Sequence, residues 1–98
     1  MMDKMEFKDK VHKVVRKIPK GKVMVYAEVA RRAGLCRAWR AVGNILAKNR
    51  SPEIPCHRVI KSDRKVGGYN KGAKNKIKLL KEEGNKIKNG KVASGFIK

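Results

Sequence analysis

This sequence lacks what a membrane protein or a disulfide scaffold would need. No apolar run approaches the roughly 20 residues of a membrane-spanning helix, and the first residues, Met1-Met2-Asp3-Lys4, are no signal peptide. Cysteine is scarce. Cys36 and Cys56 are too few for a disulfide framework, which points to a soluble cytoplasmic protein with reduced thiols. Metal-ligand spacing is missing too: nothing reads C-x-x-C or H-x-x-x-H, and an adjacent Cys-His pair suits one metal centre poorly. Internal repeats are absent, and 98 residues leave room for one domain with a modest core and for no second catalytic domain.

Negative charge is the other shortage. Lys and Arg number 27 against 8 Asp and Glu, a formal net charge of +19. The excess runs along the whole chain: residues 1–60 hold 15 basic and 5 acidic side chains, and residues 61–98 hold 12 and 3. Self-repulsion on this scale points to a polyanionic partner, and nucleic acid is the commonest one. A lysine-rich bias that serves solubility is the blander reading.

What is present begins with helices. Asp3 and Glu6 form a D-x-x-E start signal, followed at helical spacing by Phe7, Val11, Val14, Val15 and Ile18. Pro19-Lys20-Gly21 ends that helix, and Lys22 to Val25 is β-prone. A short helix marked by Ala27, Val29, Ala30 and Ala33 stops at Gly34. A second follows, with Ala38, Trp39, Val42, Ile45 and Leu46 as its apolar stripe. Its other face shows Arg37, Arg40, Ala41, Gly43, Asn44 and Lys48, and small outward residues let a helix backbone come close to DNA. Two short helices around a glycine turn read as helix-turn-helix, or else as a plain antiparallel pair with a solvated basic face.

After a loop over 49–55, Arg58 to Lys61 reads as a short strand, Ser62 to Lys65 as a turn, and Val66 as its returning partner. That hairpin would be a wing. A glycine-rich loop over 67–72 leads to a helix from Ala73 to Glu83, with Ile77 and Leu80 inward and a stop at Gly84. The fold expected is mainly α, a small winged helix-turn-helix-like domain with a short β-hairpin over 1–84. A loosely held basic tail over 85–98 follows it.

The chemistry concentrates in Pro55-Cys56-His57-Arg58-Val59. Cysteine attacks as the thiolate, which is a few per cent of a free thiol at neutral pH, and a nearby imidazole raises that share. Pro55 stiffens the chain entering the nucleophile. Cys36 has no such setting and reads as a small apolar side chain.

Ile54-Pro55-Cys56-His57-Arg58-Val59-Ile60 resembles the active-site signature of the methylated-DNA–protein-cysteine methyltransferases. Gly21-Lys22-Val23 with Tyr26 resembles the segment before that family's first DNA-binding helix, and Arg40-Ala41-Val42-Gly43 its recognition helix. Asn49 stands where the family has an asparagine, Val66-Gly67-Gly68-Tyr69 resembles the loop over the alkyl pocket, and Glu82-Glu83-Gly84 the late Glu-Gly. The resemblance runs from about Phe7 to Asn85.

It implies a function and roles. Cys56 would take an alkyl group from guanine O6 after the base flips out of double-stranded DNA. His57 would accept the thiol proton, Glu83 would orient His57, and Asn49 would brace the active-site turn. Tyr26, Arg40, Ala41, Gly43 and Arg37 would contact DNA, with Arg40 filling the vacated stack. Tyr26, Val59, Val66, Tyr69 and Asn70 would form the substrate pocket. An S-alkylcysteine is a stable thioether, so each molecule would act once, as a monomer, without metal or organic cofactor. Tyr26 could instead be a half-buried helix-start aromatic, Glu83 a solvated helix-end charge, and Arg40 a phosphate contact. Most family members carry a further N-terminal domain, for which this chain has no room. Ile45 and Arg50 also depart from the family, at positions usually small and proline. The alternatives are a non-enzymatic alkylguanine sensor and a basic winged-helix DNA-binding protein.

Overall fold

The computed structural model describes residues 6–67 and 72–93. Helix α1 (Phe7–Arg16) turns Val11 and Val15 into the core and its lysines outward. Glu6 is the residue that caps it, in extended conformation and without a side-chain bond, so it does not stand at the third helical position that a capping box requires. Asp3 lies outside the described residues.

Strand β1 (Met24–Val25) runs straight into α2 (Tyr26–Arg32). Gly34, at φ 101°, ends α2, where the Leu35 N–H returns to the Ala30 carbonyl at 3.0 Å. Helix α3 (Trp39–Ala47) packs back on α2 through Val42 and Leu46, and Ile45 packs half-buried against the same core. One stripe residue departs from expectation. Trp39 sits in the first turn of α3 and stays 47% exposed, so it belongs to the surface.

A 3-10 turn (Cys56–Arg58) follows the loop and leads into β2 (Val59–Ile60). β2 pairs in parallel with β1, matching Met24 to Val59 and Val25 to Ile60. The expected wing is therefore built differently. Val66 does not return along β2: between the two arms the Lys61 N–H meets the Lys65 carbonyl at 3.0 Å, and Val66 donates instead to Gly90 at 3.0 Å. The partner comes from the tail. Strands β3 (Ile87–Lys88) and β4 (Lys91–Val92) form an antiparallel hairpin, and Lys91 bridges Lys65. Residues 87–92, expected to be loosely held, are thus an ordered hairpin over the turn.

Two apolar clusters result. The first joins α1, α2 and α3 through Val11, Val15, Val29, Ala30, Val42 and Leu46, with Cys56 and Val59 at its edge. The second joins Val23, Ile60, Val66 and Val92 to Leu80 of α4 (Ala73–Glu82). Burying an aliphatic side chain of this size contributes about 1.5–3 kcal/mol each. The β1–β2 pair lies between the clusters and holds the Cys56 turn against both. Among the described residues, no helix is long and apolar enough to cross a membrane.

Candidate active site

The turn at Cys56 is held from three sides. Its own backbone closes it: the Cys56 N–H donates to Ile54 at 2.8 Å and the Arg58 N–H to Pro55 at 2.9 Å. Asn49, just past α3 and buried, accepts the Ser51 N–H at 3.1 Å. Its amide donates to the Ser51 carbonyl at 3.2 Å and reaches the Ile54 carbonyl at 3.5 Å. The same Nδ2 lies 3.7 Å from Cys56 Sγ, so Asn49 fixes the loop and touches the thiol. Cys56 itself is 7% exposed.

The second support comes from the end of α4. Glu83 Oε2 lies 3.0 Å from His57 Nε2, and the Arg58 guanidinium grips both carboxylate oxygens, at 3.0 and 2.6 Å. Arg58 also donates to the Ile18 carbonyl at 2.7 Å, tying the cluster to the end of α1. Gly21 completes the join. At φ 85° it passes so close that an added Cβ would stand 3.1 Å from the Glu83 carbonyl. Burial pushes the Glu83 carboxyl up, but the bonds from Arg58 and His57 outweigh it and hold it below the usual range. Burial holds His57 below its ordinary value despite the pull of Glu83, which favours the neutral imidazole at pH 7.

The third support went unnoticed in the sequence. Lys76 of α4 is fully buried and donates to the Val59 carbonyl at 2.7 Å. Its ammonium stands 5.7 Å from the centre of the Tyr26 ring. Burial brings Lys76 down to about 8, opposed by the negative charge that Cys56 carries when ionised. Burial, and the same charge on an ionised Cys56, push the Tyr26 hydroxyl up. A cation, a phenol and a thiol thus share one electrostatic neighbourhood. The signal was positional: Lys76 stands four residues before Leu80 and seven before Glu83, on the inward stripe of α4. Arg58, quoted in the motif without a role, is the other residue that sequence reasoning missed.

Tyr26 also borders an open cleft of about 620 Å³ with Trp39, Arg40, Gly43, Lys61 and Asp63. Arg40 lies over the Trp39 ring, 5.0 Å from its centre. Gly43 faces the cleft, and a Cβ there would meet nothing within 4 Å, so the chain itself has no use for the missing side chain. Cys56 borders a separate cavity of about 260 Å³ with Asn49, His57 and Arg58. Tyr26 therefore connects the cleft to the neighbourhood of the thiol.

The other expected site residues fall variously. Ala41 is half-buried on α3, and Arg37 is exposed in the α2–α3 turn, apart from the residues of the cleft. Val59 is buried, with its carbonyl accepting Lys76. Val66 does not line the cleft: its side chain packs in the second cluster and its N–H is taken by Gly90. Tyr69 and Asn70 lie outside the described residues.

Residues 6–85 match the family model described as "6-O-methylguanine DNA methyltransferase, DNA binding domain". A methylated-DNA–protein-cysteine methyltransferase of Methanothermobacter thermautotrophicus is 46% identical over 80 residues, 81% of this chain and 44% of that protein. Among solved structures, S. pombe Atl1 with damaged DNA containing O6-carboxymethylguanine superposes with a TM-score of 0.75 at 37% identity, covering 89% of this chain and 83% of that one. Mycobacterium tuberculosis OGT in complex with DNA gives 0.76 at 36% identity, covering 85% and 51%. The chain spans about half the length of the curated relatives it matches.

Proposed function

The chain belongs to the 6-O-methylguanine DNA methyltransferase family, and we propose that it repairs DNA by moving an alkyl group from guanine O6 irreversibly to Cys56. The observation that carries this reading is the joined cluster of Asn49, Cys56, His57, Glu83, Arg58 and Lys76. It sets a nucleophile, a neutral base, an anion that orients the base and a buried cation around one turn. On this reading the chain corresponds to the C-terminal catalytic domain of the longer relatives and acts as a cytoplasmic monomer on double-stranded DNA.

The duplex docks on the outer face of α3, where Gly43 leaves room for close approach. Arg40 enters the stack as the alkylated guanine turns out into the cleft, since a stacked base cannot reach a pocket. Tyr26 meets the extruded base between the cleft and the thiol. His57 takes the thiol proton through a water, and Glu83 stabilises the imidazolium that forms. The sulfur lone pair then forms the S–C bond as the C–O6 bond breaks, and the electron pair leaves with guanine. The guanine recovers a proton from Tyr26, whose hydroxyl Lys76 re-protonates. Lys76 also opposes the charge of the thiolate before attack. The thioether has no partner that reverses it, so one protein molecule is consumed per lesion.

A second reading has one observation in its favour: the fold superposes on that of Atl1 bound to damaged DNA at 37% identity. On that reading the protein binds the lesion without transfer. Incubation with a duplex carrying O6-methylguanine separates the two. A gain of one methylene in intact mass, mapped to Cys56 and absent from Cys56→Ser, supports transfer. Lesion-selective binding with unchanged mass supports the sensor.

A further inference from the structure

The β3–β4 hairpin carries an arrangement that its own stability argues against. Lys65 pairs with Lys91 across one antiparallel bridge, and Lys91 pairs with Lys88 across the next. Directly opposed residues share one face of a sheet, and like charges in such pairs are destabilising. Three lysines therefore stand in a row across three adjacent segments, all exposed. The other face explains why the hairpin forms at all, since Ile87 and Val92 join the second apolar cluster. Nothing in that packing requires the outward row to be cationic.

The row is continuous with the cleft. Asp63 borders the cleft together with Arg40 and Tyr26, and Lys61, Lys65 and Lys91 all act on its carboxylate. Lys65 Nζ approaches that carboxylate at 4.0 Å, so one anion faces several lysines. Adjacent strands lie about 4.8 Å apart, and the row from Lys65 to Lys88 spans about 10 Å. That matches the axial rise of about three nucleotides of one DNA strand. The matched family model ends at residue 85, before the two hairpin lysines.

We propose that Lys65, Lys91 and Lys88 form a phosphate-binding ladder that grips the backbone of duplex DNA beside the bases held at the cleft. It extends the contact surface beyond α3 and supplies sequence-independent affinity. The proposal takes its partner from the function proposed above, but its test uses undamaged duplex and does not depend on transfer to Cys56.

The test is the salt dependence of binding to a plain duplex, with Lys65, Lys88 and Lys91 all changed to Gln in the full chain. If the ladder neutralises three phosphates, the slope of log affinity against log salt becomes shallower by about 2.7. Wild-type protein then loses about 40-fold more affinity than the variant between 50 and 200 mM salt. Changing all three to Arg keeps the wild-type slope, and the Gln variant melts no lower than wild type. An unchanged slope in the Gln variant overturns the ladder. So does an equal change when Lys8, Lys10 and Lys13 of α1 are replaced by Gln, because net charge would then explain the effect.

Discussion

The surroundings of Cys56 and the face that carries the cleft and the lysine row use charge in opposite ways. Around Cys56 the polar groups are buried and joined: Glu83 meets Arg58 and His57, Lys76 meets Val59, and Asn49 meets the thiol. On the other face Arg40 rests over an exposed indole, and lysines oppose lysines across the hairpin. A reacting centre gains from dipoles and charges fixed before the reaction begins. A docking face for a polyanion gains from positive charge that only the partner neutralises. Changes in the first region should therefore slow transfer and spare binding, and changes in the second should weaken duplex binding and slow transfer from the duplex alone.

The largest effect is expected at Glu83. Glu83→Gln removes the charge that Arg58 and His57 share, and transfer from a methylated duplex should slow about 100-fold. Urea unfolding should show a loss of about 2 kcal/mol, while affinity for the duplex stays within twofold (roughly 0.4 kcal/mol). Undiminished transfer would remove Glu83 from the proton path. The wild-type cluster also predicts an acid limit. His57, held low by burial, and Glu83, held low by Arg58 and His57 against its burial, bind fewer protons folded than unfolded. Stability is present at neutral pH, declines as pH falls below about 6.5 and declines again below about 4.3. A urea midpoint that rises towards pH 5 would contradict this sign.

Lys76→Met should separate stability from chemistry. Burial lowers Lys76 from 10.5 to about 8, so its charge costs the fold roughly 3 kcal/mol at neutral pH. The variant should unfold at equal or higher urea and transfer about 30-fold more slowly, a loss of about 2 kcal/mol at the transition state. Equal transfer rates would show that the cation serves the fold alone.

On the docking face the effects are smaller. Gly43→Ala should stabilise α3 by about 1 kcal/mol, because glycine is a poor helix former and the added Cβ meets nothing. Duplex affinity should nevertheless fall about tenfold, about 1.4 kcal/mol, if the helix backbone lies against DNA. Stabilisation without loss of affinity would mean that α3 stands off. Trp39→Ala is expected to be the mildest. Its contact with Arg40 is worth about 0.5–1 kcal/mol at an exposed site, about threefold in affinity.

The contrast between the regions also explains what the sequence disclosed. α1 and α3 were legible because Val11, Val15, Val42 and Leu46 repeat at helical spacing, and burial follows spacing. The Cys56 turn was legible through its neighbours in the chain, since Pro55, Cys56 and His57 are consecutive. Lys76 was not, because a lysine on a helix reads as solvated unless the partner that buries it is known. That partner, the Val59 carbonyl, lies 17 residues away. Trp39 misled in the opposite sense, because an aromatic at stripe spacing reads as core although the first turn of α3 overhangs the cleft. The hairpin did leave a signal. Asn89 and Gly90, at φ 54° and 76°, are the residues a two-residue hairpin turn prefers. The lysines around them masked it as tail.

One measurement tests the division of labour directly: the rate of Cys56 alkylation in Arg40→Ala, given either a methylated duplex or free O6-methylguanine base. If the two regions act as described, the variant matches wild type on the free base and is slower on the duplex alone. An equal slowing on both substrates would show that the cleft face and the Cys56 cluster are one machine, and would contradict the separation proposed between them.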